Sequence, residues 1–327
     1  MRRLPGWWED FWFAPTPTST LAVVRIGYGV LLLAWSLLLS ADLFTFFSDS
    51  GLLPEKPPIT WTWTVLDVFP SKTAIAVLFA LQVAAAVCLI VGYRTRLAAV
   101  VALVGLTSFQ IRNPVVFNSA DILLRLFGLY LVFAPAGVAL SVDRWRRHRD
   151  RFWEFPLRAP WAVRLMQVQL SAVYLFTVWL KLRGTTWNEG TAVSYAMRVG
   201  EVARFDVPLW VTNWAPLANL LTYTTLAIEV ALALFVWNRR ARPWVLGAGV
   251  LLHLSILLTV MVGLFSFTMF LGYLAFVPPE TMTRVLAGLR SRLKGARWRP
   301  LRALGSAGPE PPSRAQRRKA PREVATA

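Results

Sequence analysis

Apolar residues in this chain fall into long, nearly unbroken runs rather than the short alternating stretches of a half-buried sheet. A bilayer helix needs roughly 20 mostly apolar residues at about 1.5 Å each. Runs of about that kind fall at 19–40, 73–92, 97–112, 118–136, 161–182, 217–237, 243–261 and 263–277. The stretch from Pro243 to Val277 would extend about 52 Å as one helix, too long for a hydrocarbon core of ~30 Å, so Gly263 is read as a break. The pattern predicts an all-α, polytopic transmembrane helical bundle of about eight spans over residues 19–280.

Two flanking patterns differ from the runs. Residues 1–18 carry Trp7, Trp8, Phe11 and Trp12 ahead of the first run and read as an interfacial segment. Arg25 lies inside that first run, which has neither the short basic start nor the shorter apolar stretch of a cleaved signal, so it is read as an uncleaved helix. In 281–303, Met282, Val285, Leu286, Leu289 and Leu293 recur at helical spacing between Arg284, Arg290, Arg292 and Lys294, predicting a basic amphipathic helix on the membrane surface. From 304 to 327 the composition predicts a disordered basic tail.

Composition agrees with the runs. Of the 327 residues, 56% are hydrophobic and 16% charged, against about 25% charged in soluble domains. The single cysteine, Cys88, excludes a disulfide scaffold. The net charge of +18 sorts by side of the membrane. Segments 1–18, 93–96, 137–160, 238–242 and 278–327 hold 25 Lys and Arg, whereas 41–72, 112–117, 183–216 and the turn at 262 hold six. The asymmetry predicts a plasma-membrane protein with both termini cytoplasmic. Trp161, Trp237 and Trp244 fall at inner span ends and Trp179, Trp187 and Trp214 near outer ones, forming an aromatic belt. Membrane lipids are the expected partners. Nucleic acid is not expected, because no recognition motif accompanies the basic tail.

Polar residues within the runs are the candidate chemistry, since ionisable groups at mid-bilayer cost roughly 2.5–3.5 kcal/mol on insertion scales. Arg164, Gln167, Ser171, Tyr174, Thr177 and Lys181 follow one another at spacings of three and four, a polar stripe along one helix face. Such a face lines a cavity or packs on other polar helices. Lys181, at its end, is either a snorkelling anchor or a base whose amine is freed by an apolar pocket. Glu229 and His253 fall near the middle of their runs, Glu229 as partner of a buried cation or part of a proton path, His253 as an interior histidine or cavity group. Asp121 and Arg125, four apart, read as a self-neutralising pair. Arg25 and Arg164 lie near inner ends, where snorkelling is cheap, and Gln82, Gln110 and Gln169 read as interhelical glue. There is no Walker loop, G-x-G-x-x-G, H-E-x-x-H or C-x-x-C, and with two histidines and one cysteine no metal site is expected.

Several stretches resemble the horizontally transferred transmembrane (HTTM) domain, the membrane part of vitamin K-dependent gamma-carboxylases and of bacterial relatives. They are N118-S-A-D-I-L-L-R-L-F-G-L, F-A-P-A-G-V-A-L-S-V-D143, Q167-V-Q-L-S-A-V-Y-L-F-T-V-W-L-K-L-R-G-T-T-W-N-E-G-T-A, H253-L-S-I-L-L-T-V-M-V-G-L-F-S-F-T-M-F and the closing F-V-P, within about residues 12–280. The resemblance implies a quinol-dependent, carboxylase-like enzyme that uses a reduced quinone such as vitamin K hydroquinone. Lys181, followed by Leu182, matches the family's base. In the carboxylase, oxygen then converts the quinol to a strongly basic alkoxide that takes a γ-proton from glutamate, and CO2 adds to the carbanion.

The carboxylase also has a histidine near the segment that here reads Asn118-Ser119-Ala120-Asp121, and a large luminal domain binding the substrate propeptide. Neither has a counterpart here, and the difference bears most on protein-glutamate carboxylation. The expected site is therefore Lys181 and His253 as catalytic groups, with Asp121, Arg125, Gln167, Tyr174 and Glu229 binding substrate. Bacterial relatives also help mature secreted peptide toxins, which implies a peptide or protein partner. A transporter or proton-conducting membrane protein, and a maturation factor or non-catalytic membrane scaffold for a secreted peptide or partner protein, are the alternatives.

Overall fold

A computed structural model describes residues 5–55 and 63–297. The chain divides into two compact units, one through Thr283 and one from Arg284. In the first unit every predicted run is a helix. After a short helix α1 (Gly6–Phe13) come α2 (Ser19–Leu39), α3 (Lys72–Val91), α4 (Thr95–Arg112), α5 (Ser119–Phe133), α6 (Trp161–Lys181), α7 (Ala215–Leu234), α8 (Arg242–Thr259) and α9 (Phe265–Leu274). Six of these, α2, α3, α4, α6, α7 (with the 3-10 turn Phe235–Trp237) and α8, are long and apolar enough to cross a membrane. Helices α5 and α9, with 15 and 10 residues, reach only about 22 and 15 Å. A further helix, α10 (Pro279–Arg297), runs into the 281–303 segment, with Met282 and Leu286 buried and Val285 and Leu289 exposed. The tail predicted at 304–327 lies outside the described residues.

Consecutive helices pack on one another from α2 to α5 and from α6 to α8, while the short α9 touches α2, α5, α6 and α8. Small residues set these approaches. A Cβ on Gly29 of α2 would come within 2.9 Å of the Ile90 backbone nitrogen and 3.0 Å of the Ala86 carbonyl oxygen in α3. Strands β1 (Thr16–Pro17) and β2 (Leu157–Arg158) pair antiparallel, with Thr16 opposite Arg158, and so bring the starts of α2 and α6 side by side.

Arg25 corrects the expectation of snorkelling. Its side chain is fully buried, and its guanidinium donates to the carbonyls of Ala136, Ala139 and Leu140 at 2.8, 3.1 and 2.6 Å. The motif ending at Asp143 is therefore a loop wrapped around a buried cation. The reason lies in position: the 136–140 carbonyls have no helix to satisfy them, and a guanidinium supplies several donors in one fork.

The same loop ends in Asp143, whose carboxylate accepts from the Arg94 and Thr95 amides at 2.9 and 3.1 Å and from the Thr95 hydroxyl at 3.1 Å. It thus caps the start of α4 from a distance. Partial burial pushes this carboxyl up, but those hydrogen bonds and the charge of Arg147 outweigh it, leaving the pKa below the ordinary 3.8. A depressed folded pKa gives stability that is present above the unfolded value and is lost as pH falls through the folded one. Asp143→Asn is expected to lower stability by about 1 kcal/mol at neutral pH, as loss of a cap does. The gap to the parent protein should begin to narrow as the pH falls toward 3.8 and go on narrowing below it, through the depressed folded pKa. Thermal melts of both proteins from pH 7 to pH 3 measure this; a gap that stays constant contradicts the capping account.

Candidate functional site

The polar stripe on α6 is a seam rather than a lipid-facing surface, because nearly every member meets a different neighbour. Arg164 donates to Gln167 Oε1 at 3.0 Å and to the Phe11 carbonyl at 3.2 Å, its guanidinium 4.7 Å from the Phe11 ring. Gln167 donates to the Ala275 carbonyl at 2.7 Å. Ser171 accepts from the Trp237 indole at 3.0 Å, a partner beyond the membrane-belt role expected of that tryptophan. Thr177 bonds its own helix backbone.

The upper part of the stripe brings the ionisable groups together. Tyr174, buried on α6, has its hydroxyl 2.8 Å from His253 Nε2 on α8 and also hydrogen-bonded to the Tyr273 hydroxyl on α9. One turn and three residues further on, Lys181 forms an ion pair with Glu229 of α7. The lysine side chain is 21% exposed and the glutamate 10%. Trp187, on the short helix that follows α6, sets its ring 4.5 Å from Lys181 Nζ. Lys181 is thus bracketed by a carboxylate and an aromatic face, and Glu229 is the partner of a half-buried cation. The charges are near enough for Lys181 to act on His253, and Glu229 on Tyr174 and Tyr273.

Two buried polar atoms in this cluster have no partner among the described residues, Glu229 Oε2 and His253 Nδ1. If Nε2 accepts from Tyr174, Nδ1 is an unpaired N–H; if Nε2 donates, Nδ1 is a bare acceptor. Burying such an atom without a partner costs about 1–3 kcal/mol. Two of them beside an ion pair point to a ligand or a water. The rings of Phe265 and Phe270, centred 5.3 and 6.3 Å from the His253 ring, form an aromatic wall.

The other expected binding residues are used elsewhere. Asp121 does not pair with Arg125; its carboxylate accepts from the Trp35 indole at 3.0 Å and from the Asn118 amide at 2.8 Å, closing a capping box at the start of α5. Arg125 has no ion pair or hydrogen bond among the described residues. Gln167 has both amide atoms occupied, about 21 Å along α6 from Lys181. Tyr273, Trp187 and Trp35 went unread as site groups because their partners lie on other elements, and spacing within a single run carries no signal of that kind.

A model of the HTTM domain matches residues 13–280 of this chain. No curated protein and no solved structure matches it.

Proposed function

This chain belongs to the HTTM domain family, and from that premise we propose that it is an integral membrane enzyme that takes a proton from a reduced quinone, with Lys181 as base. The reading rests on one juxtaposition: the charges of the Lys181–Glu229 pair reach the Tyr174–His253–Tyr273 cluster, and one buried atom in each, Glu229 Oε2 and His253 Nδ1, lacks a partner among the described residues. Ion pairs, exposed or buried, contribute little net stability, so a half-buried one within an apolar bundle is a functional candidate.

These residues fit a hydroquinone. Glu229 Oε2 and His253 Nδ1 would hold its hydroxyls, and Phe265 and Phe270 would flank its ring. When bound, such a group supplies an aromatic hydroxyl whose oxygen turns reactive toward oxygen once its proton is gone. The protein's part is to move that proton. Passing a proton from Lys181 Nζ to Glu229 Oε1 leaves two neutral groups and a lone pair on the amine, which can then accept the hydroxyl proton. Tyr174 orients His253, Trp187 faces the amine, and Asp121 and Gln167 act as scaffold.

A peptide or protein second substrate, carboxylated or matured with the help of quinol oxidation, extends the same reading. The excess of Lys and Arg on one set of loops supports a plasma-membrane protein with both termini cytoplasmic. The test is to purify the protein, identify copurifying quinones by mass spectrometry, and assay oxygen-dependent quinol epoxidation with Lys181→Ala beside it. Turnover is expected to fall by roughly 10²-fold or more in the variant; equal turnover removes Lys181 as base. Proton flux in liposomes without any turnover would favour a transporter.

A further inference from the structure

A cavity of about 730 Å³ opens at the other end of α6 from Lys181, where α2, α6 and α8 begin and the segment after α9 passes. Seventeen residues of helix separate Arg164 from Lys181, roughly 25 Å, so this space is distinct from the ion-paired site. Four guanidinium groups line it, Arg158, Arg164, Arg239 and Arg242, against one carboxylate, Glu280. None of the four has an ion pair among the described residues. Arg164 lies within reach of the charges of both Arg239 and Arg242. Four like charges set against a single carboxylate repel one another, and an anion between them relieves this.

The backbone adds to the same field. Helices α2 and α6 both start at the cavity without a side-chain cap. The first-turn amides of each, Ser19 to Leu21 and Trp161 to Val163, find no acceptor among the described residues. The positive ends of two long helices therefore face the space that the arginines line. A further observation is independent of charge. Thr18 precedes α2 at the position where a hydroxyl ordinarily accepts from the helix, yet it makes no such bond. It is only 4% exposed, lines the cavity, and its Oγ1 has no partner among the described residues.

The arginines are also held in place. Arg164 is fixed by Phe11 and Gln167, and Arg242 donates to the Val236 and Trp237 carbonyls at 2.9 and 3.3 Å. Each keeps one terminal NH2 group uncommitted, and Arg239 makes no bond among the described residues. Forked donors on several sides, uncapped amides and an unused hydroxyl match an oxyanion with several acceptor oxygens. We propose that this cavity binds a phosphate group, carried by an anionic lipid headgroup or present as free phosphate.

The test compares three full-length proteins: the parent chain, Arg239→Gln and Arg240→Gln. Arg240 neighbours Arg239, carries the same charge and is exposed, but does not line the cavity. Each is placed in phosphatidylcholine nanodiscs, and thermal stability is followed while inorganic phosphate is added, or while phosphatidylglycerol replaces part of the lipid. The parent and Arg240→Gln proteins are expected to be stabilised equally, and Arg239→Gln to need at least tenfold more ligand. Without added anion, Arg239→Gln should be at least as stable as the parent, because that side chain makes no bond to lose among the described residues and one of the repelling charges is gone. A response to phosphatidylglycerol alone identifies a lipid headgroup, and an equal response to inorganic phosphate identifies the free anion. No stabilisation by either, or the same response in Arg239→Gln and Arg240→Gln, overturns the proposal. Quinol turnover is read separately, so failure here leaves the Lys181 assignment untouched, and the reverse.

Discussion

Arg25→Ala is expected to destabilise the bundle by about 3–6 kcal/mol, since three carbonyls lose a charged donor at about 1–3 kcal/mol each, with some relaxation. Ala136, Ala139 and Leu140 are the groups left unpaired. Water cannot readily replace the guanidinium at the Ala136 and Ala139 carbonyls, whose residues are buried with it. Arg25→Lys should recover little, because an ammonium on a single stem does not present the same fork. Arg125→Ala is the control: that arginine also lies in an apolar helix but has no bond among the described residues, so its loss should stay within about 0.5 kcal/mol. Thermal unfolding in one detergent ranks the three variants. If Arg25→Ala and Arg125→Ala melt together, the buried clasp does not hold the loop. A falling contribution from Asp143 in acid would then have to be explained without that loop as well.

The second large effect concerns Glu229. Under the proposed chemistry, Glu229→Gln should lower quinol turnover about as far as Lys181→Ala, by ~10²–10⁴-fold, because the amide no longer takes the proton that frees the amine. The pair is a single hydrogen-bonded unit, and residues acting as one unit are not additive. The double variant Lys181→Ala with Glu229→Gln should therefore be no slower than the worse single variant. Losses that multiply would assign the two residues to separate steps. A purely structural pair would show itself differently, with melting temperature falling in each single variant while turnover per folded molecule stays unchanged.

Spacing alone put Arg164, Gln167, Tyr174 and Lys181 on one face of α6, and the structure keeps that face as the seam of the bundle. Spacing also located Glu229 and His253 as groups out of place in lipid. It did not say that Lys181 would take Glu229, or that His253 would take Tyr174, because those pairs join residues 48 and 79 positions apart. The Asp121–Arg125 expectation failed for a related reason. Four residues of separation make a pair possible, but the start of a helix offers the carboxylate unpaired amides, and the Trp35 indole from α2 completes its bonding.

The helices, their order and the membrane character of this protein were determined by the sequence itself, because backbone hydrogen bonding within an apolar run needs no information from elsewhere in the chain. The last run, 263–277, was already too short for a full crossing, whereas α5 stops at Phe133, before the end of a run that read as a complete span to 136. Only the tertiary structure decided which cations are consumed by the protein and which are left for a ligand. Arg25 and Arg164 read alike along the chain, yet one is closed around a loop and the other faces a cavity with three more arginines. An ion's role depends on the dipoles and charges within a few ångströms of it, and in a helical bundle most of those neighbours come from distant segments.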